Sequence, residues 1–464
     1  MKKCVITLKP YMKERLVDRL DIELCFDGLS RKADEELFRF ALSTVTIPGC
    51  VPEELTVTDG AGVVPYTAAD SSEYPYEYRI FTVQRELSGS VSIRYTVRPI
   101  PYREGQIAGP YFDFKAEDGG ANTAGVSILP TFTRSQEFEG ELALKWELSE
   151  MPEGCCGVNT FGEGDFTKED KFETLRQSYY AMGRIQSLTD GDFGFYWLAD
   201  TDFDVQAIAD YTKKLFAVMS PFFRDTESVY RIFVRKDPEK FPSSGGTALL
   251  RSYMFGWNAN EPVNVEEKQN ILAHEMVHNW PSLNDEPYGI TTWYSEGTAE
   301  YYSIMIPLSA GLINVETALY EIQRRTDDYY RNPTRHLENM ESTRMAWKDR
   351  RAQKLPYGRG IFFLANCDVK MKEATGGRYG IDDVVLNILE MQRQGVTLSN
   401  EVFLDEIKKL SGLDLTADWE IMRTGTHFAP LAGSFGGHFT VCEVPAEEAD
   451  TGEPCVSYKW EIKK

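Results

Sequence analysis

The sequence predicts an α+β multidomain chain: an all-β N-terminal domain of sandwich or saddle type, a mixed α+β unit, and a helical domain after it. Three observations carry this. Over the first 185 residues apolar side chains recur with period two, near residue 203 a helical period sets in, and beyond residue 265 helical patterns dominate. The 464 residues exceed one ordinary domain, and 42% hydrophobic with 12% aromatic content can fill more than one core.

The β domain is expected over 1–185. Val91, Ile93, Tyr95 and Val97 alternate with Ser92, Arg94 and Thr96, and Leu142, Leu144, Trp146 and Leu148 alternate with Ala143, Lys145 and Glu147. Asp118-Gly119-Gly120 and Pro152-Glu153-Gly154 supply turns between runs. The mixed unit is expected over 186–310, with a helix at 203–219 and a strand at 228–234. A helical domain follows over 311–427, with helices at 316–330, 358–373, 381–393 and 400–410. Residues 428–464 read as a tail on the body, with one strand signal at 438–444.

Composition removes several classes of function. A net charge of −22, from 72 acidic against 50 basic residues, repels phosphate backbones, so no nucleic-acid partner is expected. No window reaches the roughly 18 uninterrupted apolar residues of a membrane span. Lys9 interrupts the N-terminal apolar run, so no secretory signal is read. The eight cysteines are scattered without a CxxC pair, which suits reduced thiols in a cytoplasmic protein; a Cys442–Cys455 pair in the tail is the alternative. Nothing in the sequence sets the oligomeric state.

His274-Glu275-Met276-Val277-His278 is an HExxH motif. On a helix, residues four apart share a face and converge on one ion, while Glu275 points beside that ion and reaches a bound water. The surroundings fit a helix: Asn264 as cap, Glu266 and Glu267 at its positive end, Pro281 as a stop, and Leu272, Met276 and Trp280 as a buried stripe. Only five histidines occur in the chain, and two stand here. A second helix, capped by Thr291 or Thr292, carries Glu296. Two imidazoles and one carboxylate leave a fourth tetrahedral position open, the donor set of a catalytic zinc site, so Zn2+ is the expected cofactor. Glu300, one turn on, either orients a ligand histidine or stays a solvated surface glutamate.

HExxH followed by Trp293-x-x-Glu296-Gly297-x-x-x-Tyr301 resembles the gluzincin aminopeptidases, a superfamily that includes aminopeptidase N, leukotriene hydrolase and the glycyl aminopeptidases. Pro356-Tyr357-Gly358-Arg359-Gly360 is similar to the superfamily's Tyr-x-Lys/Arg-Gly helix start, and Asn279-Trp280, Ala310-Gly311-Leu312-Ile313 and Gly376-Gly377 are closest to its glycyl branch. The resemblance spans roughly residues 200–427; over the β domain it rests on strand-rich character and position alone. It implies a thermolysin-like catalytic domain, a peptide substrate, and Tyr357 as the donor that stabilises the tetrahedral intermediate. Three departures stand out. Between His278 and Glu296 lie 17 residues, one fewer than is usual in the aminopeptidase N branch, and the 37-residue tail is too short for the PDZ domain usual in the glycyl branch. In Ser244-Gly245-Gly246-Thr247-Ala248-Leu249, Ala248 stands where the superfamily's amine-binding glutamate is expected. Gly245, Gly246, Thr247 and Ala248 are thus the expected substrate-binding strand, without its anchor; Glu261 is one residue that would replace it. The expected activity is a zinc aminopeptidase acting on small N-terminal residues. Its alternatives are an oligopeptidase indifferent to the free amine and a catalytically silent peptide binder.

Overall fold

The computed structural model describes residues 2–44, 47–73, 75–103, 109–241, 245–260 and 263–463; Ser244 and Glu261 lie outside them. The chain forms two compact units, residues 1–209 with 227–265, and residues 210–226 with 266–464. The expected contrast holds, with a large β-rich N-terminal region and a helical C-terminal region.

In the first unit, strands β1 (Lys3–Lys13) and β2 (Leu16–Asp27) pair antiparallel at the centre of a seven-stranded sheet. Their period-two patterning buries Cys4, Ile6 and Leu8 on one strand and Leu20, Ile22, Leu24 and Phe26 on the other. Each large apolar side chain so removed from water contributes roughly 1.5–3 kcal/mol before chain entropy is counted. Strand β3 (Val91–Val97) buries all four expected residues beside β2. Strand β4 (Glu139–Trp146) runs parallel to β1. It ends two residues before Leu148, because the Trp146 N–H leaves the ladder and donates to Asp165 Oδ1 at 2.8 Å.

A second sheet of the same unit contains β5 (Gln186–Asp190), β6 (Phe193–Trp197), β7 (Tyr230–Lys236), β8 (Gly246–Leu249) and β9 (Ser252–Trp257), in the order β5-β6-β7-β9-β8. Strands β6, β7 and β9 are parallel, and their near-continuous burial marks a sheet covered on both faces. Helix α1 (Val205–Phe222) makes the crossover from β6 to β7. The edge strand β8 is antiparallel to β9.

The second unit contains α2 (Val265–Val277), α3 (Thr292–Ser309), α4 (Val315–Tyr330), α5 (Leu355–Thr375), α6 (Ile381–Arg393) and α7 (Asn400–Ser411). Asn314 caps α4 by accepting the Thr317 N–H at 2.8 Å, and Gly412 closes α7 at φ 76°. Helix α5 starts three residues before the expected 358, since Pro356 suits a first turn that needs no N–H there. Two expectations at helix ends are corrected. Helix α2 stops at Val277, four residues short of Pro281; Trp280 is buried beyond its end, stacked on Phe223 at 4.7 Å. Thr291 holds the cap position of α3 without capping it, because its hydroxyl donates to Asp285 Oδ1 at 2.9 Å.

Helices α3 and α5 cross at Gly297 and Gly360. A Cβ on Gly297 would stand 2.4 Å from the Gly360 Cα, and one on Gly360 would stand 2.1 Å from the Trp293 carbonyl oxygen. No side chain fits between these backbones. Overpacking commonly costs 1–3 kcal/mol, and backbone cannot swing aside as a side chain can. Gly360→Ala is therefore expected to lower the thermal unfolding midpoint by several degrees; an unchanged midpoint in calorimetry would contradict the contact.

The tail is a hairpin, β10 (Phe439–Glu447) with β11 (Pro454–Ile462), and β11 lies on α4. Trp460 Nε1 donates to Thr326 Oγ1 at 2.9 Å, and Gln323 bonds the backbone on either side. The hairpin register corrects the tail-disulfide alternative. Cys442 faces Lys459 and Cys455 faces Ala446, about 13 Å apart along the strands, so both thiols are free. Among the described residues no helix is long and apolar enough to cross a membrane.

Candidate metal centre

The helical spacing of His274 and His278 brings their rings edge to face, with centroids 4.8 Å apart. His278 lies one residue past the end of α2, in a turn that continues the same curl, so the i, i+4 relation survives. Glu296, one turn into α3, completes a triangle. The Nε2 atoms of His274 and His278 are 3.1 Å apart, and Glu296 Oε2 is 3.4 Å from the first and 3.5 Å from the second. This oxygen is buried and accepts no hydrogen bond.

A buried carboxylate oxygen left without a proton donor between two imidazole nitrogens calls for a cation. Four donors at tetrahedral angles, each about 2.0–2.1 Å from zinc, stand roughly 3.3 Å from one another. The observed triangle has those edges, so the three residues fit a zinc ion. They are also the one His/Cys/Asp/Glu cluster among the described residues with metal-holding spacing.

Around the triangle the charges are held in place. Glu300 turns inward, with Oε1 3.2 Å from His274 Nδ1, an ion-pair distance off the axis of a formed hydrogen bond. Arg325 of α4 donates to the other Glu300 oxygen, to Glu321, and to Asn270 Oδ1 at 2.7 Å; Asn270 in turn donates to Ser303 Oγ at 3.0 Å. Burial would raise the Glu300 carboxyl, but Arg325 and His274 outweigh it and hold Glu300 well below the usual range. Burial likewise acts to raise Glu296, and the two imidazoles bring it down to about 2. For His274, burial lowers the imidazole, and the carboxylates of Glu296 and Glu300 more than reverse that.

Arg325 carried no signal in the sequence, where it is one of two adjacent arginines on an amphipathic helix. A cation 29 residues after Glu296 acquires meaning only once α4 is folded onto α2 and α3.

Glu275 is buried beside the triangle, and its charge acts on both His274 and Tyr357. Tyr357, in the first turn of α5, lays its ring parallel to that of His274, with centroids 5.8 Å apart and an interplanar angle of 8°. Burial and the negative charges of Glu296, Glu275 and Glu300 raise its phenol well above its ordinary value. The hydroxyl is therefore held protonated, as a donor. His274, Glu275, His278, Glu296, Glu300 and Tyr357 all belong to the second unit and come together there.

Gly245, Gly246, Thr247 and Ala248 belong to the first unit. Gly246, Thr247 and Ala248 lie in β8 at its sheet edge, but part of that edge is taken. The Tyr179 hydroxyl donates to the Thr247 carbonyl at 3.0 Å, and Thr247 Oγ1 accepts the Tyr111 N–H at 3.0 Å. Ala248 is half-buried and brings no charge.

Residues 267–357 match the family model of the M61 glycyl aminopeptidases. No curated protein matches the chain. Among solved structures, an aminopeptidase N family protein from Idiomarina loihiensis superposes with a TM-score of 0.70 at 12% identity, over 97% of this chain and 81% of that one. An M1 zinc metallopeptidase mutant from Deinococcus radiodurans gives 0.59 at 15% identity, over 93% and 95%. The same enzyme bound to a Tyr-Ser-Ala substrate gives 0.57 at 14%, over 93% and 94%. At such identities the superpositions establish the fold. Together with the family match, they agree with the resemblance to gluzincin aminopeptidases and support a hydrolase of the metallopeptidase kind.

Proposed function

We propose that this chain is a zinc metallopeptidase with a thermolysin-like catalytic domain, and that it removes small N-terminal residues from peptides. The observation that carries the reading is the triangle of two imidazole nitrogens and one unbonded carboxylate oxygen. His274, His278 and Glu296 would hold the metal. The β domain at 1–185, catalytic domain at 186–310, helical domain at 311–427 and tail at 428–464 are the division this reading takes.

The chemistry a bound zinc supplies is polarisation of the scissile carbonyl and acidification of water toward a pKa of roughly 7. Glu275 accepts the proton of the attacking water and passes it to the leaving nitrogen. Tyr357, kept protonated by the carboxylates around it, donates to the oxygen on which charge develops. Glu300, steadied by Arg325, holds the His274 ring in one orientation.

Tyr357→Phe is expected to lower kcat by roughly 100–1,000-fold, the usual effect of deleting one oxyanion donor. Metal content should stay at the parent level, because the phenol is not a ligand. A variant of near-normal rate and reduced stability would make Tyr357 a packing residue instead.

Ala248 favours a second reading, an oligopeptidase that does not require a free amine. An ammonium without a counter-charge forfeits an interaction worth several kcal/mol where the site is dry. Rates on alanyl and acetyl-alanyl substrates separate the two. The aminopeptidase reading expects the acetylated substrate to be cleaved at least about tenfold more slowly; equal rates would leave the oligopeptidase in its place.

A further inference from the structure

Next to Tyr357 the second unit has a recess of about 230 Å3, walled by the C-terminal half of α4, the short helix Arg350–Gln353 and the first turn of α5. Its charge opposes that of the molecule. In a chain of net charge −22, its walls carry Arg324, Arg325, Arg350 and Lys354 against Glu300 and Asp328. Residues 344–354 supply this bias locally, with five Lys or Arg and one acid.

Most of these cations already have partners. Arg325 is taken up by Glu300, Glu321 and Asn270. Arg324 donates to Glu321 at 2.8 Å, and Lys354 to Asp328 at 3.1 Å. Arg350 makes no ion pair or side-chain hydrogen bond among the described residues, and it is exposed at the wall of the recess. The surplus positive charge is therefore a guanidinium, whose planar fork matches a carboxylate. The volume lies below the roughly 300 Å3 where pockets for drug-sized ligands begin, so one residue of a peptide fits there and a long chain does not.

We propose that this recess is a carboxylate subsite, in which Arg350 binds a carboxylate of the peptide while the bond to be cleaved lies at Tyr357. The proposal rests on the metallopeptidase reading and deepens it toward short or acidic peptides. The carboxylate comes either from the peptide's C-terminus or from an acidic side chain.

The test is equilibrium binding to the zinc-loaded Glu275→Gln protein, measured by calorimetry, so that no turnover intervenes. The probes are Ala-Ala-Ala, its C-terminal amide, and Ala-Ala-Glu amide. The free acid is expected to bind on the order of tenfold more tightly than the amide, as one charge-assisted pair allows. Adding Arg350→Ala should remove the difference, and Arg350→Glu should reverse it. Ala-Ala-Glu amide binding like the acid identifies a side-chain carboxylate as the ligand; binding like the neutral amide identifies the C-terminus. Equal binding of acid and amide, or discrimination retained in Arg350→Ala, overturns the proposal. Turnover of the same peptides by the parent protein reports separately on the peptidase reading. Carboxylate-dependent binding without hydrolysis would overturn that reading and leave the subsite standing.

Discussion

Replacing Glu275 with Gln is expected to abolish nearly all peptide hydrolysis while leaving the metal in place. The amide is close to the carboxylate in size, so the buried position beside His274 keeps its packing. It has no basic oxygen to take the proton of the attacking water, and the general-base contribution of roughly 100–10,000-fold is lost. Metal analysis and a fluorogenic peptide assay on one preparation check both halves. A rate within a few-fold of the parent would reduce Glu275 to a buried helix residue, and the silent peptide-binding alternative would be excluded by that same turnover.

An effect of similar size is expected at the ligands, with the opposite signature in metal content. Glu296→Ala and His278→Ala each remove one corner, and with it two sides, of a triangle whose sides are 3.1, 3.4 and 3.5 Å. Two remaining donors cannot enclose a tetrahedral ion, so zinc retention after dialysis should fall by more than tenfold and hydrolysis with it. Glu296→Ala also leaves two facing imidazoles without their shared carboxylate. Full occupancy in both variants would refute the assignment of the three ligands.

The centre was legible in the sequence because its geometry is mostly local. Four-residue spacing fixes the two histidines relative to each other, and Glu300 follows Glu296 by one turn on the same helix. What escaped the sequence depends on distant chain segments. Arg325 gains its role from three helices meeting, and the Thr291 hydroxyl is drawn off its helix by Asp285. In the strand Pro454–Ile462, Val456, Tyr458, Trp460 and Ile462 alternate with Ser457, Lys459 and Glu461, a period-two signal that the expectation of one strand at 438–444 passes over. That only Tyr458 and Trp460 of that face are buried depends on α4 being there to receive them. Helix ends moved by a few residues for reasons equally non-local, as where Trp280 leaves α2 to stack on Phe223. The β domain read well in its central strands, where alternation reports one covered face and one open face, as in β3.

The crossing of α3 and α5 at Gly297 and Gly360 has a mechanical meaning. Glu296 precedes the first of these glycines, and Tyr357 lies one turn before the second. At the crossing point itself backbone is seated on backbone, and no side chain lies between Gly297 and Gly360 to absorb play. The Glu296 carboxylate of the triangle and the Tyr357 phenol, the proposed oxyanion donor, therefore share one stiff joint, like two jaws cut from a single block. Their separation is set by main-chain geometry and not by the choice of neighbouring side chains. Substitutions in the surrounding wall can then reshape what the site accepts while leaving the spacing of its chemical parts alone.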